Sequence, residues 1–214
     1  MAQDKFDLQK VHGSFERCLA VTGNDNEDDV FLDPYLEAFK ELYKFFSLMG
    51  TVFGFVSSDV KEKVEILEKL RKHADHGERF ETVRSMMDYE RDGNLLAKKD
   101  YVSGSRTLLR LHRGLDFIYL FLKRLGELES ANANTCAVCQ TAYNETLAQF
   151  HPWLIRKGAV MAMYAMPNRD QLLEKVCLDA SLAIKLLPEM LGVARQVYDR
   201  TQNLYTLYDM HGLP

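Results

Sequence analysis

Arg106-Thr-Leu-Leu-Arg110-Leu-His-Arg113-Gly-Leu-Asp-Phe-Ile-Tyr-Leu-Phe-Leu-Lys123 is apolar around most of its girth at helical spacing, which makes it a largely buried helix. At about 100° per residue its expected solvent stripe is His112, Asp116, Tyr119 and Lys123. Arg110 falls well across the wheel from that stripe, in the sector of Phe117 and Phe121. Arg106 lies beside it and Arg113 nearer the boundary. A guanidinium turned toward an interior requires something anionic to meet it.

The segment from Val52 to Arg71 repeats the anomaly with an acid added. Ser58, Lys61, Glu62, Glu65, Glu68, Lys69 and Lys72 make an ordinary wet face. Asp59 and Lys63 project from the other side, among Val56, Val60, Ile66, Leu67 and Leu70. Their i,i+4 spacing stacks them one turn apart on a single face. Internal salt bridges alone do not account for the set, because one carboxylate leaves positive charge over.

The surroundings are helical from end to end. Periodicity predicts helices at Phe6–Val21, Asp33–Met49, Val52–Lys72, Glu78–Gly93, Ser103–Leu128, Asn132–Phe150, Pro152–Ala165, Asp170–Leu178 and Ser181–Tyr208. Asp33-Pro34 reads as an N-cap with a first-turn proline, Pro152 as another first-turn proline, and Pro167-Asn168 as a break. Asn24–Asp29 reads as a solvated acidic loop, and Asp92 to Ser103 as a loop. No hairpin signal or alternating strand is present, so the expectation is an all-α domain of layered helices spanning 1–214. The 214 residues, 47% hydrophobic and 27% charged, suit one domain.

A net charge of −4 argues against nucleic acid as a partner. No apolar run reaches the length of a membrane span, and the amino terminus lacks a signal peptide's apolar core. A cytoplasmic setting is expected, with Cys18, Cys136, Cys139 and Cys177 as free thiols. Cys136-Ala-Val-Cys139 has no second ligand pair for zinc, so neither a metal nor another cofactor is expected. Twelve Phe and nine Met fill a helical core or line a cavity with equal ease.

His151-Pro152-Trp153 holds the only tryptophan. Proline makes the preceding residue extended, and His151 there either hydrogen-bonds a ligand amide or carbonyl or caps the junction. Trp153 is either core or an amphipathic ring at a membrane interface, with Arg156 and Lys157 beside it for anionic headgroups.

With these residues in view, the chain resembles the glycolipid transfer protein superfamily, and within it the branch that carries ceramide 1-phosphate. The resemblance runs from about Leu32 to the carboxyl end. It rests on Leu32-Asp-Pro-Tyr35, Asp59-x-x-x-Lys63, Arg106-Thr-Leu-Leu-Arg110-Leu-His-Arg113, Tyr143-Asn144, Phe150-His151-Pro152-Trp153 and Pro167-Asn-Arg169. Segments 1–31 and 73–103 follow the family only loosely.

The resemblance implies a two-layer helical sandwich that sheathes lipid chains while a surface recess grips the headgroup. Glycolipid carriers have tryptophan where this chain has Arg110 and asparagine where it has Lys63. A phosphate monoester carries roughly −1.5 to −2 charges, which Lys63, Arg106 and Arg110 would neutralise. Asp59 is implied to accept the sphingoid amide N–H and His151 to bond near the amide carbonyl. Non-enzymatic transfer by a monomer, docking transiently and peripherally on intracellular membranes, is the implied activity. A lipid sensor that binds without transfer is the alternative. An enzyme with Asp59 and His151 as acid and base is disfavoured by the absence of a nucleophile elbow, metal motif or phosphate loop.

Overall fold

The computed structural model describes residues 5–20, 28–50 and 53–214. Among them are nine α-helices: α1 Leu8–Cys18, α2 Leu32–Met49, α3 Gly54–Arg71, α4 Val83–Asp92, α5 Gly104–Gly126, α6 Thr135–Glu145, α7 Trp153–Met163, α8 Arg169–Val176 and α9 Ala180–Leu207. The expected helix ends at Val21 and Val52, and most of the acidic loop, lie outside the described residues. Extended pairing among the described residues is confined to isolated bridges, Phe6 with Cys177 and Phe31 with Thr82.

Two predicted helices are interrupted. Gly77–Phe80 and Ala148–Phe150 are separate 3₁₀ turns, and Leu95–Ala97 adds a third inside the expected loop. Helix starts follow side-chain chemistry: Asp7, Thr82, Ser103, Asn134, Asn168 and Asp179 each accept a backbone N–H of the following turn. Asp33 does not cap α2 as expected. Phe31 is the cap residue, the Leu32 N–H is already taken by the Glu81 carbonyl at 2.9 Å, and Asp33 is free to accept from Arg71 Nε at 3.2 Å. Asp29, expected in solvent, is buried and accepts the Val30 and Arg84 N–H groups.

Helices α1, α2 and α3 pack in succession, as do α9, α5 and α6, and the two runs meet through α1 with α9 and α3 with α5. Helix α9 overturns part of the expected solvent stripe of α5. His112 is 1% exposed, stacked on Tyr198 and near Tyr205, with Nε2 2.6 Å from Gln202 Oε1. Asp116 and Tyr119 are half-buried, and Lys123 alone of the four is exposed. The wheel correctly marks the side of the helix facing away from Phe117, but a neighbouring helix occupies that side.

The start of α5 is held by a residue that reads as surface. Glu90 is fully buried and accepts from Gly104 N at 2.6 Å, Ser105 N at 3.0 Å, Ser103 Oγ at 2.9 Å and Tyr101 Oη at 3.0 Å. A carboxylate at a helix N-terminus satisfies donors that lack intrahelical partners and complements the helix dipole. Gly104 lets α4 approach, since a Cβ there would sit 2.6 Å from Met86 Sδ and 2.8 Å from Phe80 Cε1.

Candidate functional site: a cationic mouth on an apolar cavity

A cavity of about 520 Å³ opens between α2, α3, α5, α6 and α7. Its walls are mainly aromatic and aliphatic, among them Phe39, Phe46, Val60, Phe117, Phe121 and Met163. These are the phenylalanines and methionines for which core and cavity lining were both open on sequence, and they serve as both.

Polar side chains gather at the opening, where Asp59, Arg110, Arg113 and His151 line the cavity. Arg110 shares the cavity sector with Phe117 and Phe121 as expected. It is nonetheless exposed, because it stands about two helical turns before Phe117, at the open part of that sector. No carboxylate or hydrogen-bond acceptor pairs with it among the described residues. Arg113 sits deeper: Nη2 donates to the His211 carbonyl at 2.8 Å, and its guanidinium lies 4.1 Å from the centre of the Phe150 ring. Burial, and then the Arg110 charge, pull its pKa below the usual arginine value, offset in part by Tyr205.

The inward pair on α3 divides. Lys63 is buried, whereas Asp59 is exposed at the rim, and they pair at 3.0 Å. Glu62 approaches the same ammonium at 3.3 Å, so Lys63 meets two acids where the sequence suggested one. The reason is reach: a long amphipathic stem lies along the apolar surface and sends its head back to water-facing carboxylates. Lys63 does not line the cavity.

Arg106 does not line it either. Its Nη2 donates to the Leu96 carbonyl at 2.5 Å, and its Nε is buried without a partner. Thus three guanidinium groups, Arg106, Arg110 and Arg113, stand on α5 with no carboxylate partner among the described residues.

His151 closes the 3₁₀ turn before α7 in an extended conformation, as a residue before proline should. Its Nδ1 lies 2.9 Å from Tyr143 Oη, a partner whose role sequence did not reveal although Tyr143-Asn144 was among the motifs. Burial lowers the His151 pKa while Asp59 raises it, the net effect being downward, so the ring is neutral at pH 7. Burial raises the Tyr143 pKa, so the phenol keeps its proton. A phenol that donates into Nδ1 leaves Nε2 as the protonated nitrogen, a donor available at the mouth.

Beside the mouth the first turn of α7 is bare. Trp153 is 64% and Leu154 71% exposed, with Phe150, Ile155, Met161 and Tyr164 also out. Arg156 and Lys157 are exposed, and the Lys157 ammonium lies 5.7 Å from the Trp153 ring centre. Trp153 is therefore not core. All four cysteines are free thiols, and no cluster of His, Cys, Asp or Glu among the described residues could hold a metal.

A helical shell around an apolar hollow, cationic at its lip, is the architecture of a protein that holds an amphiphile by both ends. Residues 30–178 match the family model described as glycolipid transfer protein, and the chain belongs to that family. It is 37% identical to the ceramide-1-phosphate transfer protein of Xenopus laevis, over 99% of this chain and 98% of that one. To the human protein of the same name it is 35% identical, over 98% and 97%. The crystal structure of the mouse ceramide-1-phosphate transfer protein without ligand superposes with a TM-score of 0.88 at 37% identity, covering 98% of this chain and all of that one. The human protein in complex with 2:0 ceramide-1-phosphate gives 0.85 at 34% identity, over 99% and 100%.

Proposed function

We propose that this protein carries ceramide 1-phosphate between membranes without making or breaking a covalent bond. One observation carries the reading: Arg110 and Arg113, neither paired with a carboxylate among the described residues, line a cavity whose walls are otherwise mainly hydrocarbon. Lys63 meets Asp59 and Glu62, while Arg106, Arg110 and Arg113 meet no carboxylate among the described residues, so these six groups in and beside the mouth carry a net charge of about +2. A phosphate monoester supplies roughly −1.5 to −2. Full-length relatives bearing the ceramide-1-phosphate transfer name support the same cargo.

In this reading Arg110 and Lys63 meet the phosphate with Arg106, whose guanidinium exchanges the Leu96 carbonyl for a better acceptor. Arg113, set deeper than Arg110 and over the Phe150 ring, adds positive charge behind them. Asp59, oriented by Lys63, accepts the sphingoid amide N–H, and His151 Nε2–H donates to the amide carbonyl. A glycerolipid has no such amide. The chains fill the cavity, each covered methylene being worth about 0.8 kcal/mol. Docking is peripheral, through Trp153 and Leu154 at the interfacial depth with Arg156 and Lys157 toward anionic headgroups. No helix among the described residues is long and apolar enough to cross a membrane. The protein acts as a monomer at the cytoplasmic surface of intracellular membranes.

The test is transfer of fluorescent ceramide 1-phosphate from donor to acceptor vesicles. Wild type is expected to move it intact. Arg110→Leu is expected to lose at least about tenfold, since a charge-assisted hydrogen bond is worth roughly 1.5–3 kcal/mol. Full activity in that variant overturns the headgroup assignment. Binding without transfer by wild type identifies a sensor instead.

A further inference from the structure

Tyr143 stands outside the charged set at the mouth, yet the direction of the His151 ring depends on it. It occupies the last turn of α6, buried, and lines the cavity with its ring edge-on to Phe117 at 6.3 Å and 88°. The segment joining it to His151 is short and held from within. Thr146 Oγ1 donates to the Ala142 carbonyl at 2.7 Å, Gln149 Nε2 to the Thr146 carbonyl at 3.1 Å, and the His151 N–H to the Ala148 carbonyl at 3.2 Å. Phenol and imidazole are therefore placed together, with Oη 2.9 Å from Nδ1.

The direction of that hydrogen bond follows from what each group lacks. His151 is the one hydrogen-bond partner of the phenol among the described residues. A proton on Nδ1 would leave the buried phenolic O–H without an acceptor, and an unmet buried donor is costly. With the phenol donating, both groups are satisfied and the ring proton belongs to Nε2. The bond also fixes the ring plane. An imidazole turns about χ2 in a broad, roughly two-fold well, so a half-turn would put a ring carbon where Nε2 stands. We infer that Tyr143 is a positioning residue for cargo selection: through His151 it presents a fixed N–H donor to the acyl carbonyl of the lipid, and so separates lipids that have that carbonyl from lipids that lack it. This rests on the lipid-transfer reading above and adds to it a residue that sets how sharply the carbonyl is read. The phenol acts through the ring and not on the carbonyl.

The experiment begins with Tyr143→Phe, which removes the hydroxyl and keeps the ring against Phe117. Vesicle transfer of ceramide 1-phosphate is expected to fall about fivefold, the loss of one well-directed hydrogen bond. Transfer of a dialkyl-ether glycerol phosphate, which has two chains and the phosphate but no carbonyl, is expected to stay unchanged. An equal loss for both lipids overturns the inference. In a His151→Ala background the same substitution is expected to cost nothing further, because the ring it acts on is gone. A second loss of similar size there assigns Tyr143 to packing and overturns the inference. The third arm uses imidazole ¹⁵N shifts of the protein without lipid. Wild type is expected to show the proton on Nε2, and the His151 pKa is expected to rise in Tyr143→Phe, since a donor to the neutral ring has been removed. A wild-type ring protonated on Nδ1 overturns the inference whether or not the variant folds. Failure of wild type to move ceramide 1-phosphate defeats the transfer reading instead, and the lipid-free ring measurement still reports on Tyr143.

Discussion

Arg110 and Lys63 carry the same charge but hold it differently. Arg110 is exposed and meets no acceptor among the described residues, so replacing it should cost the fold little, and on the proposed reading the cargo much. Lys63 has a buried stem and two carboxylates on its head, and on the proposed reading it also orients Asp59. Lys63→Met keeps the stem and removes the charge. Its thermal unfolding should shift by no more than about 1 kcal/mol, because both acids are exposed and solvated. Transfer should fall about tenfold as Asp59 loses its anchor, and a drop in stability with transfer intact would reverse that assignment. Both residues were legible as an anomaly, since cations on apolar faces violate the helical pattern. Which acids meet them was not, because Glu62 belongs to the wet face by spacing and reaches Lys63 only through side-chain length.

Helix α5 is where sequence pattern and packing part company. Its length and ends are readable, Ser103 capping it close to where the pattern begins. What locks its position is not readable: Glu90 lies in a segment whose polar residues look solvent-facing, yet it gathers four donors from a loop and helix start up to fifteen residues on. Glu90→Ala should destabilise by about 3 kcal/mol or more, because buried donors lose their acceptor together. Urea unfolding measures this, and a change below about 1 kcal/mol would show the network to be dispensable. Gly104→Ala should cost about 1–3 kcal/mol by overpacking Met86 and Phe80. Two helices predicted as continuous, at Glu78–Gly93 and Asn132–Phe150, instead pass through tight turns at Gly77–Phe80 and Ala148–Phe150. The second of these turns is what delivers His151 to the cavity.

Between the two runs of helices the buried histidine gives the fold a pH limit. Burial lowers the His112 pKa from its ordinary 6.5 to about 4, with the Gln202 hydrogen bond opposing. The unfolded chain therefore binds this proton more readily than the folded one. The associated stability is complete above pH 6.5 and is lost as pH falls toward 4, by about 3 kcal/mol at 1.36 kcal/mol per unit. Urea midpoints measured across that window should decline, and His112→Gln should flatten the decline; an equal slope in both proteins would assign it elsewhere. At the surface, Trp153→Ala should weaken association with anionic vesicles several-fold while headgroup binding in detergent persists. Loss of both together would place Trp153 in the cargo site.

Helical periodicity, capping residues and the inward cations were all present in the order of the amino acids, because each depends on neighbours three or four positions away. From them came an all-helical fold, most helix boundaries to within a few residues, and the expectation of an anionic partner, while its being a lipid came from the resemblance to a family. The hollow itself was not there to be read, since a filled core and a lined cavity use the same phenylalanines and methionines. Nor was the partner of each charged group. Whether His112 meets water or Tyr198, and whether Trp153 is covered or bare, depends on helices packed from more than forty residues away or on none arriving, and those distances appear only when the chain closes on itself.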